Sequence, residues 1–343
     1  MKKFNEIFID KTKYGEKIQT SEYEKQGKHI IVDQGQAEIA GYTNREEGLF
    51  NEVPVIIFGD HTRLIKYIDE PFFLGADGVK VLRSKEKNAN YKYLYYALKS
   101  AKIPNTGYNR HFKWLKDVEI NYPDSVKQEK IVDILDRVSD VIEKRKAELS
   151  YLDTLIKARF VEMFGDPIIN SKGLETKELN EVLVLKAGDF TAASDISVEP
   201  TEINIYPCYG GNGIRGYVAE YNQEGEYSLV GRQGALSGNV QYATGKFKNT
   251  EHALLVKPII RMNSIWLNQL LLNLDLKRYQ TGAAQPGLSV KNLQDIQIIM
   301  VPIDEQRQFA AFVNEIDKSK SAVKKALDET QLLFDSLMQE YFD

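Results

Sequence analysis

Two stretches decide how this chain is read. Residues 128–164 run QEKIVDILDRVSDVIEKRKAELSYLDTLIKARFVEMF, and residues 306–342 run QRQFAAFVNEIDKSKSAVKKALDETQLLFDSLMQEYF. In the first, steps of four and three pick out Ile131, Leu135, Val138, Ile142, Arg145, Leu149, Leu152, Ile156, Arg159 and Met163. Adding 178 to each number gives Phe309, Val313, Ile316, Lys320, Val323, Leu327, Thr330, Phe334, Leu337 and Tyr341. Eight of the ten positions are apolar in each copy, the stripe of a coiled coil. Neither Pro nor Gly falls between 124 and 164 or between 303 and 343, so each copy is one long helix; Gly165 and Pro167 end the first.

The same offset lays Leu115 to Phe164 over Leu293 to Phe342 with nine identities: Leu115, Asp117, Ile120, Gln128, Lys146, Leu149, Leu155, Glu162 and Phe164. A single apolar seam is ordinary helix packing; two matched seams of 33 residues, each about 50 Å long, can pair along their whole length. The expectation is an intramolecular, antiparallel two-helix coiled coil with a pseudo-twofold repeat.

The segments between the helices are Gly-rich and aromatic-rich, with β-type runs at His29 to Val32, Val53 to Phe58, Tyr227 to Val230 and Ala253 to Val256. Each has one helix candidate before its last strand, Tyr91 to Ser100 and Ser264 to Lys277. A weaker echo links Gly35, Ile39, Gly41 and Tyr42 to Gly210, Ile214, Gly216 and Tyr217. The fold class is α+β: two α/β recognition domains, 1–125 and 170–303, separated by spacer helices at 126–169 and 304–343.

Composition narrows the function classes. With 343 residues, 43% of them hydrophobic, the chain can build two or three cores, and 27% charged residues suit a folded protein in water. The lone Cys208 makes no internal disulfide and fits a reducing, cytoplasmic compartment, and no run approaches the ~20 apolar residues of a membrane span. The ten prolines include no adjacent pair, which excludes the Asn/Asp-Pro-Pro-aromatic loop of amino-methyltransferases. Neither Gly-Lys pair, 27-28 or 245-246, is followed by Ser or Thr, so there is no phosphate-cradling loop. His29, His61, His111 and His252 lack metal-ligand spacing, and Asp166 with Glu175-Thr176-Lys177 mimics a nuclease site only loosely. The runs Gly210 to Gly213 and Gly231 to Gly234 read as turns. No catalytic or metal site is expected.

What remains is a recognition surface. Groups suited to DNA interleave with aromatics once per domain. The first domain has Gln34 and Gln36; His61, Thr62 and Arg63; and Asn109, Arg110, His111 and Lys113 within the run Tyr108 to Trp114. The second has Asn212, Arg215, Arg232, Gln233, Gln285, Ser289 and Lys291. Arg reads guanine and Gln or Asn reads adenine through paired hydrogen bonds, while Lys, Ser and Thr hold phosphates. Any one cluster alone reads as a solvated loop; their recurrence favours an interface. Two unlike domains on paired helices suit a split, asymmetric duplex target, with helix length as the ruler. A coiled-coil adaptor that binds only proteins explains the helices but not the repeated Arg/Gln/Asn clusters.

At these residues the chain resembles the specificity subunits of type I restriction-modification systems over nearly its whole length. The resembling stretches are Asp33 to Gln36 with Ile39 to Thr43, Phe58 to Arg63 followed by Phe73 to Val81, Arg110 to Leu115, and Leu152 to Pro167. In the second half they are Val230 to Ala235, Gly238 to Val240, Gln285 to Ser289 and Pro302 to Gln306. The resemblance implies a non-catalytic subunit that recognises double-stranded DNA and docks two methyltransferase subunits and restriction/translocase subunits. S-adenosylmethionine, ATP and Mg2+ would then sit on those partners, and the reaction served would be N6-adenine methylation. The specificity subunit of a fused methyltransferase-nuclease fits equally at this stage. The first domain is compact, starting almost at Met1.

Split by segment, the formal charge is +2 over 1–125, −1 over 126–169, −1 over 170–303 and −4 over 304–343, the −4 of the whole. Near-neutral domains must bind DNA through placed residues, so tight binding is expected only once partner subunits close around it.

Overall fold

The computed structural model describes every residue except Ala76, Ala235, Ala283, Ala284, Gln285 and Asp343. Contacts divide it into two units, Met1–Lys146 with Lys325–Asp343, and Ala147–Lys324. Each unit therefore takes part of both long helices, where a sequential division would give each domain its own.

The first unit opens with β1 (Lys2–Lys3), α1 (Phe4–Ile7), β2 (Phe8–Asp10), β3 (His29–Val32) and β4 (Gly41–Thr43). It continues with β5 (Val55–Gly59), β6 (Ile65–Ile68), β7 (Phe72–Leu74) and β8 (Val79–Ser84). Then come α2 (Tyr91–Lys99), α3 (Phe112–Leu115), β9 (Glu119–Ile120) and the start of α4 (Ser125–Phe164). The second unit repeats the order: β10 (Thr176–Glu178), α5 (Leu179–Val182), β11 (Leu183–Ala187), β12 (Tyr206–Gly210) and β13 (Gly213–Val218). After these follow β14 (Gln223–Gly231), β15 (Val240–Asn249), β16 (Ala253–Pro258), α6 (Ser264–Asn273), α7 (Val290–Leu293), β17 (Gln297–Ile299) and the start of α8 (Ile303–Phe342).

The strands pair alike in the two units. β1 lies against β9 as β10 lies against β17, β2–β8–β5–β6 matches β11–β16–β14–β15, and β3 runs parallel to β7 as β12 does to β15. One difference stands out. In the first unit Asp69, Glu70 and Pro71 interrupt the chain between β6 and β7, leaving a four-stranded and a three-stranded sheet. In the second, no proline falls between 240 and 249, and the ten-residue β15 serves both partners in one six-stranded sheet. The Gly-Tyr echo is structural too: Tyr42 forms a backbone bridge with Glu24, and Tyr217 with Ser197. A side chain on the preceding glycine would put its Cβ 2.9 Å from Tyr23 Cβ at Gly41 and 2.3 Å from Ser197 O at Gly216, so both sites need glycine.

The long helices start alike. Gln128 and Gln306 are buried, and their amides donate to the carbonyls of Pro123 and Val301, at 2.8 Å in each case. Within each unit the helices pair antiparallel. In the first, Arg145 donates to Ala326 O and to Thr330 Oγ1 (2.7 Å), while near the helix ends Asn121 donates to Tyr341 O at 3.2 Å. In the second, Lys320 pairs with Asp153 at 2.6 Å, and Phe160 packs on Phe309 with ring centroids 5.5 Å apart. Every seam position named above is buried or half-buried, including the four polar ones.

Each α/β layer receives the C-terminal end of one long helix. Phe342 packs on Tyr93 of α2 in the first unit, and Phe164 on Trp266 of α6 in the second. Both receiving helices are capped by asparagine: Asn90 Oδ1 accepts from Tyr93 N–H, and Asn263 Oδ1 from Ile265 and Trp266 N–H. Two sequence expectations need correction. The helix expected over Ser264 to Lys277 stops at Asn273, because Asp275 is left-handed (φ 47°), and a separate 3-10 turn covers Leu276–Tyr279. The strand expected from Val53 begins at Val55, just after Pro54, which has no N–H to give a ladder. Among the described residues, no helix is long and apolar enough to cross a membrane.

Candidate nucleic-acid interface

In each unit the same four loops meet. In the first they are β3–β4, β5–β6, β7–β8 and α2–α3; in the second, β12–β13, β14–β15, β15–β16 and α6–α7. The meeting is held by hydrogen bonds in most of which at least one partner is a backbone group, and the side chains used differ between the units.

The hub of the first unit is Gln34. Its Oε1 accepts His61 N–H at 3.1 Å and its Nε2 donates to Asp77 O at 2.8 Å, tying three loops together, while Thr62 Oγ1 donates to Gln34 O at 2.7 Å. The β3–β4 loop is pinned from below by Lys66 on β6, whose ammonium donates to Asp33 O (2.8 Å) and Ala37 O (2.6 Å). Burial pulls the Lys66 ammonium below its ordinary pKa, against the opposing pull of the Asp33 carboxylate. Gln36 stands exposed on this braced loop. The fourth loop joins through Asp60, which is buried: its backbone carbonyl accepts His111 N–H at 2.8 Å, and its Oδ1 accepts Phe112 N–H at 2.7 Å.

His111 is a correction. It is fully buried, with Nδ1 3.0 Å from Asp60 O and Nε2 3.4 Å from Thr106 N, so it braces the loop from inside and has no surface to offer DNA. Arg63 is half-buried; its guanidinium donates to Ile103 O at 3.3 Å, and its backbone sits at φ 62°, a region side-chain-bearing residues avoid. In the second unit the matching place is taken by Gly238, φ 83°: Arg63 N–H donates to Gly59 O as Gly238 N–H does to Gly231 O. Asn109, Arg110 and Lys113 are exposed, and the Lys113 ammonium lies 4.1 Å from the Trp114 ring centre. Lys17, through a hydrogen bond and its charge, holds the Asp77 carboxyl below the usual range, and the charge of Arg110 adds to the effect.

In the second unit Asn239 Nδ2 donates to Asn212 Oδ1 at 3.0 Å, Gly234 N–H to Pro286 O at 2.9 Å, and Leu288 N–H to Arg232 O at 2.8 Å. Gln233 Oε1 lies 2.9 Å from His252 Nδ1, and His252 Nε2 lies 3.1 Å from Glu251 Oε1. Arg232 Nη1 donates to Glu251 O at 3.2 Å, while Arg232 Nε and Glu251 Oε2 are buried without hydrogen-bond partners. Arg215 and Lys291 are exposed. Ser289 serves as the N-cap of α7, accepting Asn292 N–H at 3.2 Å. Gln285 lies outside the described residues. Among those described, no group of His, Cys, Asp and Glu could hold a metal ion.

Residue type alone missed Asp60, Lys66, Asp77 and Glu251, which hold or charge the loops rather than resemble DNA contacts. Asp60 and Asp77 lie beside glycines, at Gly59 and at Gly75 and Gly78, whereas Lys66 and Glu251 carry no local sequence signal.

Comparison with known proteins adds to this geometry. The family model for the type I restriction modification DNA specificity domain matches residues 1–151 and 171–330. The type I restriction enzyme EcoprrI specificity subunit of Escherichia coli is 37% identical over 200 residues, which is 57% of this chain and 50% of that subunit. A putative type I specificity subunit of Mycoplasma genitalium is 23% identical over 353 residues, 96% of this chain and 90% of its own. The crystal structure of a type I restriction-modification S subunit from M. genitalium superposes with a TM-score of 0.62 at 20% identity, covering 100% of this chain and 95% of that one.

Proposed function

This chain belongs to the type I restriction-modification DNA specificity family, and from that premise we propose that it is the sequence-reading, non-catalytic subunit of such a system. Residues 1–125 and 170–303 act as target-recognition domains for two different half-sites, and 126–169 and 304–343 as spacer helices. The proposal extends to two methyltransferase subunits and to restriction/translocase subunits as partners. S-adenosylmethionine, ATP and Mg2+ would be bound there, and the assembly would act on DNA in the cytoplasm.

The observation that carries the reading is the doubled convergence of four loops, similar in backbone and different in side chains. A protein that docked only other proteins would have no need of two matched frameworks carrying Gln36, Asn109, Arg110 and Lys113 in one and Arg215, Gln233 and Lys291 in the other. Arg and Gln at such places read base edges, and Lys holds phosphates.

The test is sequencing of methylated adenines in a host with and without this gene. A split, asymmetric motif that appears only with the gene supports the reading; no new motif in a host that supplies the methyltransferase subunit overturns it. Exchange of residues 1–125 for those of a relative should change one half of the motif only.

A further inference from the structure

The loop between α2 and α3 carries a feature that neither packing nor hydrogen bonding explains. Tyr108 is 88% exposed, yet its ring lies flat on that of His61, with centroids 4.7 Å apart and planes 10° from parallel. His61 is a fixed shelf: half-buried, with its N–H bound to Gln34, whose own amide is bound to Asp77. The turn presenting the tyrosine is closed on both sides, by Gly107 N–H to Asn105 Oδ1 at 3.1 Å and by Asn109 Nδ2 to Thr106 O at 2.5 Å. One face of the Tyr108 ring is covered by imidazole and the other is left to solvent.

A large aromatic held this way adds little to folding, since most of its surface stays wet. The stack on His61 does orient it, as suits a ring that must accept another ring, and an oriented side chain has less rotational entropy to lose on binding. Exposed Arg110 and Lys113 follow it within five residues and give the same segment positive charge. The partner with the matching chemistry is a flat, π-faced group attached to a polyanion. Tyrosine faces stack on nucleobases in this way without regard to hydrogen-bonding edges.

We propose that Tyr108 stacks on a nucleobase of the half-site bound by the first unit, at a base step that opens on binding. The proposal rests on the reading of this chain as a DNA-specificity subunit, and names the chemistry of one of its contacts. The effect belongs to one half-site. In the second unit the corresponding loop is closed by paired backbone hydrogen bonds between Thr281 and Gly287, and Tyr279 at its start packs against the core.

The experiment uses the full chain assembled with its methyltransferase subunits, on duplexes carrying the motif found by methylation sequencing. 2-Aminopurine is placed in turn at each position of the first half-site. With the wild-type chain and with Tyr108→Phe, fluorescence rises at one position on binding. With Tyr108→Ala that rise is lost and affinity falls about 5- to 150-fold, the range for one stacked base. The salt dependence of binding and the melting temperature stay unchanged, because the residue is exposed and uncharged. Binding by Tyr108→Ala within twofold of wild type with the signal intact overturns the proposal, as does a shallower salt dependence, which marks a phosphate contact. A wild-type complex that fails to distinguish its motif from scrambled DNA overturns the parent reading and this proposal with it.

Discussion

The two units grip the long helices by different chemistry. In the second, Phe160, Phe164 and Phe309, all essentially inaccessible, stack edge to face with one another, and Phe164 meets Trp266 at 90°. In the first, Phe334 packs on Tyr96 and Phe342 on Tyr93, and charge is added to that apolar contact. Asp136 on α4 accepts from Lys92 Nζ at 2.6 Å and from the Tyr96 hydroxyl at 2.7 Å, and Arg145 reaches across to α8. The backbone plan is shared, so the sheet topology does not depend on which chemistry is used. The difference teaches that one scaffold can be kept while its contacts are exchanged, the same freedom the loop side chains show.

The largest expected effect tests the aromatic grip. Phe160→Ala should cost about 3–5 kcal/mol, the range for truncating a fully buried phenylalanine, whereas Leu332→Ala on the exposed side of α8 should stay within about 0.5 kcal/mol; urea titration measures both. If Phe160→Ala proves as mild as Leu332→Ala, the contrast between the units fails.

The polar grip should be weaker to lose. Asp136→Ala strips acceptors from Lys92 and Tyr96 and should cost about 1–3 kcal/mol, with Asp136→Asn in between. A loss equal to that of Phe160→Ala would make the two grips energetically alike.

The turn shared by Arg63 and Gly238 gives a smaller, opposed pair. Gly238→Ala puts a Cβ 2.7 Å from Lys277 N at a left-handed position and should cost about 1–3 kcal/mol. Arg63→Gly relieves the same backbone strain while losing one hydrogen bond, and should leave stability within about 1 kcal/mol of wild type. If that variant also keeps half-site recognition, Arg63 is a brace rather than a reader of bases.

The smallest effect is invisible at neutral pH. Burial pushes the hydroxyls of Tyr93 and Tyr122 in the first unit, and of Tyr242 in the second, up to about 12 from an ordinary 10. Groups raised in the folded state contribute stability that is whole below pH 10 and lost as pH rises through about 12. Unfolding titrations should therefore weaken above pH 10, and Tyr93→Phe with Tyr122→Phe should blunt the decline more than Tyr242→Phe does. Equal blunting would remove this difference between the units.

Legibility follows the range of the interaction. The helical seam was readable because its period lies along the chain: Ile131, Leu135 and Ile142 announce themselves by spacing. Phe160 and Phe164 fall outside that seam and are buried all the same, because an α/β layer covers a second face of the helix there, which heptad counting cannot see. Among candidate contacts, residue type brought out the exposed Gln36, Arg110, Arg215 and Lys291, but could not separate them from His111, whose imidazole faces Asp60 and Thr106 inside the fold. The hydroxyl that makes Ser289 a candidate contact caps a helix.

By itself, the sequence determined the long helices, the doubled plan and the family resemblance, since these are carried by periodicity, by offset identities and by ordered motifs along one dimension. Only the tertiary structure decided that each unit takes part of both helices, that β15 does alone what β6 and β7 do separately, and that Gln34 and Asp60 gather loops far apart in the chain. The physical reason is that hydrogen bonds such as His61 to Gln34, and ring contacts such as Tyr108 on His61, join residues with no fixed spacing. They exist only once the strands beneath them have paired.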